Sequence, residues 1–72
     1  MDFLETLKSK TLKSAIIKRF NKLSLDDQSA VCEDTLYDEI NHKEIASLWY
    51  HLSQDDKSIL SDELYNIMEK NS

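Results

Sequence analysis

Few residues in this sequence have the chemistry of a reaction centre, so their spacing decides what they could do. Glu39-Ile-Asn-His42 reads Glu-x-x-His, the helical spacing of a ligand pair in carboxylate-bridged di-metal proteins. Such centres need a second copy and two further glutamates from facing helices. Here there is one copy, and it straddles a predicted helix junction at Asn41, so no metal site is expected. Cys32 is the sole cysteine. It can form no internal disulfide, no Cys/His cluster stands at zinc spacing, and its simplest role is that of a small hydrophobe. A Cys32–histidine nucleophilic pair is conceivable in principle. A 72-residue chain without glycine, however, offers no oxyanion loop and little room for a water-excluding pocket. His42 and His51 are nine residues apart and do not share a helical face. The expectation is a non-enzymatic protein with no catalytic residue and no cofactor.

What the chain has in quantity is charge. The net charge is −5, but residues 1–22 carry six basic residues against Asp2 and Glu5, a net of +4. Residues 23–72 carry three lysines against twelve carboxylates, a net of −9. Paired carboxylates recur at 26/27, 33/34, 38/39, 55/56 and 62/63. Three readings compete. The basic segment could pair internally with acidic helices, each exposed pair contributing about 0–1 kcal/mol. The acidic surface could steer a basic partner protein into place. Or the N-terminal lysines could bind nucleic acid, although the acidic bulk would repel phosphate and only one of the six is arginine. Paired carboxylates could also imitate phosphates; more often they are a solvated face.

The elements that must position these charges are helices. With neither glycine nor proline, φ > 0 turns and phosphate loops lose their usual residues, and no β-branched runs suggest strands. The frame L-S-x-D-D-x-S occurs at 23–29 and again at 52–58. Ser24 with Asp27, and Ser53 with Asp56, have the spacing of an N-cap and its N3 acid, and Asp26 and Asp55 suit the positive end of a helix dipole. Asp2 with Glu5, and Asn41 with Glu44, repeat the logic; Ile40 and Ile45 stand at hydrophobic-staple positions. At 100° per residue, Phe3, Leu4 and Leu7 share one face while Leu12, Ile16, Phe20 and Leu23 share nearly the opposite one. That predicts a break near Ser9–Thr11, with one long, partly exposed amphipathic helix as the alternative. The sequence thus predicts an all-α, compact bundle of four to five short helices, at about 3–8, 11–22, 25–39, 42–51 and 54–70, in a single domain spanning 1–72. The predicted inner faces are Leu25, Cys32, Leu36 and Ile40, then Ile45, Leu48, Trp49 and Leu52, then Leu60, Leu64, Ile67 and Met68. Leu12, Ile16, Leu36, Leu48 and Leu64 should meet in one interior.

Three fragments, "DFLETLK" at 2–8, "LSLDDQ" at 23–28 and "YDEINHKEIASL" at 37–48, resemble the Hha/YmoA family of small enterobacterial regulators. The last is similar to that family's Tyr-x-x-x-Asp-His-Arg segment. The resemblance implies a helical protein that binds nucleoid-structuring partners, with Asn41, His42 and Lys43 as contact candidates. The spacing between fragments departs from the family by several residues, and the C-terminal third does not match. The expectations below therefore rest on the residues alone.

The expected function is that of a small acidic regulator, adaptor or inhibitor that acts by binding a partner protein of basic character. The alternative is a DNA-associated role, as an accessory to a nucleoid or transcription protein or as a nucleic-acid mimic. Direct nucleic-acid binding and membrane association are not expected. A signal peptide is not apparent, and a lone thiol fits a reducing, cytoplasmic setting. Monomer and homodimer both remain open. The candidate partner-binding residues are Asp26, Asp27, Glu33, Asp34, Trp49, Tyr50, Asp55, Asp56 and Tyr65. Trp49 joins the off-face residues Val31, Tyr50, Ile59 and Tyr65 in one candidate patch.

Overall fold

A computed structural model describes the backbone of residues 3–72 and the side chains of residues 8–72. Four helices follow one another: α1 (Phe3–Asn21), α2 (Leu25–Leu36), α3 (Lys43–Trp49) and α4 (Gln54–Asn71). Among the described residues there is no strand, so the chain is the all-α bundle expected. The Asp2–Glu5 start and the face made by Phe3, Leu4 and Leu7 lie outside the described side chains.

The expected break near Ser9–Thr11 does not occur, and α1 runs unbroken through it. Nothing in Lys8–Leu12 is a helix breaker, and Ser9 donates 2.6 Å across to Asp56 at the start of α4. The serine hydroxyl thus bonds to a neighbouring helix and does not compete with its own backbone. At the other end of α1 the Phe20 carbonyl accepts 3.0 Å from Gln28 Nε2 of α2, and Gln28 Oε1 accepts 3.3 Å from Asn71 at the end of α4. With α1's start at α4's start and its finish near α4's finish, the two helices run in the same sense. α2 runs antiparallel to α4, because Gln28 meets Asn71 while Thr35 meets Ser61.

Both serine frames cap as their spacing predicts. Ser24 Oγ accepts from the Asp27 N–H at 3.2 Å, and Ser53 Oγ accepts from the Asp56 N–H at 3.2 Å. The third start is displaced by one residue. His42, not Asn41, is the N-cap of α3. Asn41 instead donates its backbone N–H (3.1 Å) and its side-chain amide to the Asp34 carboxylate.

α2 stops at Leu36, three residues before the predicted end at 39. The stop is a Schellman motif. Glu39 N–H donates to the Asp34 carbonyl at 3.1 Å and Asp38 N–H to the Thr35 carbonyl at 3.4 Å, with Asp38 left-handed at φ 53°. Glycine usually holds that position; this chain has none, and aspartate is among the residues that tolerate it.

The core is Ile16, Phe20, Val31, Cys32, Ile40, Ile45, Trp49, Leu52, Leu60 and Leu64, with Leu12, Leu48, Ile67 and Met68 packed partly against it. Two predicted inner residues, Leu25 and Leu36, lie on the surface instead, Leu36 being 74% exposed. Val31, expected off the face, is buried. The inward phase of α2 is set by Gln28, Val31 and Thr35, two of them polar. Gln28 is bonded as above, and Thr35 Oγ1 donates 2.6 Å to the Cys32 carbonyl. Polar groups can hold inner positions when their hydrogen bonds are made. That rotation turns the Leu25–Leu36 edge outward.

Candidate interaction surface

The nine residues predicted to meet a partner divide into three groups. Asp26, Asp27, Glu33 and Asp55 are exposed on α2 and at the start of α4. Asp34 and Asp56 are partly covered and bonded within the molecule. Asp34 holds Asn41 as described. Asp56 Oδ2 accepts from Ser9 and, at 3.1 Å, from Ser53, while Oδ1 lies 3.4 Å from Lys13 Nζ. The Ser9 hydrogen bond is the largest cause holding the Asp56 carboxyl below its ordinary value, with Ser53 and Lys13 adding to it against some desolvation.

The aromatics divide as well. Trp49 is 1% exposed, so it is no exposed anchor. Its indole N–H donates 2.8 Å to Asp38 Oδ1. Tyr50 is half-exposed, but its hydroxyl is engaged: it accepts from the Ile40 N–H at 3.0 Å and reaches the Asp38 carbonyl at 3.3 Å. Both residues fasten the connection between α2 and α3. Lys57, which sequence reasoning missed, completes this knot. Its Nζ lies 3.0 Å from Asp38 Oδ1 and within 6 Å of both the Trp49 and Tyr50 rings. The Asp38 carboxyl is consequently lowered, first by the indole bond and then by Lys57. A signal was present, since Lys57, Leu60 and Leu64 are spaced as one helical stripe.

Tyr65 remains a surface aromatic, 50% exposed on α4. It stands one turn beyond Ser61, which with Ser58 and Asp62 lines a shallow groove of about 330 Å³ between α2 and α4. Leu36, Trp49 and Lys57 line the same groove, and Tyr37 beside Leu36 is also 74% exposed. Leu36, its neighbour Tyr37 just past the end of α2, and Tyr65 are thus exposed apolar groups, as are Leu25 on α2 and Ile59 on α4, and Glu33, Asp62 and Glu69 are exposed on the same two helices.

Opposite charges meet little within the fold. Among the described residues the ion pairs are Lys13–Asp56 and Lys57–Asp38, and only the first joins the basic helix to an acidic one. The basic residues at and just past the end of α1 gather elsewhere. Lys18, Arg19 and Lys22 line a groove of about 360 Å³ with Leu23, His42 and Glu44. No group of three histidine, cysteine or acidic side chains converges at metal-binding distance among the described residues, and no helix there is long and apolar enough to cross a membrane.

Comparison with protein-family models, with curated proteins and with solved structures finds no match to this chain.

Proposed function

We propose that this protein is a small, non-enzymatic acidic regulator, adaptor or inhibitor that docks on a partner protein of basic character through the outer face of α2 and α4. One observation carries the reading. The acidic helices keep their charge, because a single ion pair ties them to the basic helix. Asp26, Glu33, Asp62 and Glu69 are exposed on the helices that also carry exposed Leu36 and Tyr65, with Tyr37 next to Leu36, so long-range steering and apolar area that burial can turn into affinity share these two helices. Leu36 and Tyr37 replace Trp49 and Tyr50 as anchors, since the latter pair holds the molecule's own loop. A reducing, cytoplasmic setting suits the buried single thiol.

The test is affinity capture of the tagged protein from its native lysate, with and without nuclease, beside a Leu36→Ser/Tyr65→Ser variant of matched helicity. A protein partner that survives nuclease and is lost with the variant supports the reading. Retention by the variant, or loss of every partner on nuclease treatment, contradicts it.

A further inference from the structure

The groove between the end of α1 and the start of α3 has no place in that function, and its chemistry points to a different ligand. Lys18 and Arg19 stand in the last turn of α1 and Lys22 just beyond its end, and all three line the groove. Like charges gathered in this way repel. The chain carries fourteen carboxylates, yet neither ion pair of the described residues involves these three. Glu44 stands in the groove wall without an ion pair to any of them, leaving a local excess of positive charge. Arg19 is partly buried and already held, with Nη1 donating 3.1 Å to the Ala15 carbonyl of its own helix. Its planar fork is thus pre-ordered, which lowers the entropy lost on gripping an anion. The second wall holds an anomaly. His42 Nδ1 is buried and has no hydrogen-bond partner. That enclosure decides which edge of the ring is left for a ligand in the groove. With Nδ1 enclosed, the ring is left to meet the groove through its other edge, where Nε2 is a donor in the tautomer that carries its proton there.

We infer that this groove is a binding site for a phosphomonoester, with Lys18, Arg19 and Lys22 neutralising the phosphate and the Nε2 edge of His42 donating to one oxygen. The volume of about 360 Å³ accommodates a phosphate and part of the small organic group it is attached to. Glu44 disfavours a long polyanion lying along the wall, which argues for a compact ligand over a duplex.

The experiment is a backbone amide NMR titration of the full chain with inorganic phosphate and, separately, with adenosine 5′-monophosphate, repeated on K18Q/K22Q, on H42F and on the control K8Q/K10Q. Helicity of each variant is checked first by circular dichroism. The expected result is saturable shifts confined to residues 16–24 and 41–46, with the monoester binding more tightly than free phosphate. Affinity should fall at least tenfold in K18Q/K22Q and at least threefold in H42F, and less than twofold in the control. Shifts spread evenly over all lysines, equal losses in the control, or an unchanged H42F would overturn the assignment. So would a 20-base-pair DNA duplex that binds through the same residues while the monoester does not.

Discussion

Ser9→Ala tests how α1 is fastened to α4. Ser9 Oγ donates 2.6 Å to Asp56, whose side chain is about a quarter exposed. Hydrogen bonds to a charged group contribute about 1.5–3 kcal/mol, and water competing at a partly exposed carboxylate puts this one near the lower bound. Alanine returns about 0.5 kcal/mol of helix propensity. The net loss is therefore about 1 kcal/mol, which for a domain of this size lowers Tm by about 4–8 °C. The pH dependence follows from the direction of the Asp56 shift. Its folded-state value is depressed, so the stabilisation is present above the unfolded carboxylate value and fades as pH falls through the folded one. Thermal melts by circular dichroism at pH 7 and near pH 2 measure both effects. The gap between parent and Ser9→Ala should be wide at pH 7 and should narrow in acid. Ser29→Ala, an exposed serine of α2, isolates the propensity gain and should raise Tm slightly at both pH values. A Ser9→Ala protein that behaves like Ser29→Ala, or a gap of equal width in acid, would refute the clamp.

Ser24→Ala and Ser53→Ala should each cost about 0.5–2 kcal/mol in urea unfolding; equal stability to the parent would deny the caps. Trp49→Ala should cost about 3–5 kcal/mol, a large share of the total expected for 72 residues, whereas Leu36→Ser should lie within about 0.5 kcal/mol of the parent. The reverse ranking would place the tryptophan outside and the leucine inside. Burial pushes the Cys32 thiol up and covers it, so iodoacetamide at pH 8 should alkylate the native protein at least tenfold more slowly than the urea-unfolded chain. Comparable rates would mean that the thiol is accessible.

The all-α class, both serine caps and most of the interior follow from patterns a reader can find in the sequence: caps at Ser24 and Ser53, and apolar spacing through Ile16, Phe20, Leu60 and Leu64. The misassigned inner face of α2 has one physical origin, which is polar residues placed where hydrophobicity counting assigns apolar ones. Gln28 and Thr35 take the inner face of α2 because their hydrogen bonds are met by Phe20, Asn71, Cys32 and Ser61, and Leu36 is displaced outward as a result. Asn71 and Ser61 are distant in sequence from the residues they bond, and nothing local announces them. Trp49 could be read as core or as anchor from spacing alone, and the Asp38 carboxylate that receives its N–H belongs to a left-handed turn that carries no glycine to mark it. The charge polarity was plain from the sequence. That it survives folding, with one ion pair between the two regions, required coordinates.

The central claim is that uncompensated carboxylates on α2 and α4 draw in a basic partner. It is tested most directly by the association rate constant for the captured partner, measured against ionic strength. Steering predicts a fall of roughly tenfold between about 50 and 300 mM salt, as charges farther apart than the Debye length are screened. An association rate that does not change with salt would contradict it.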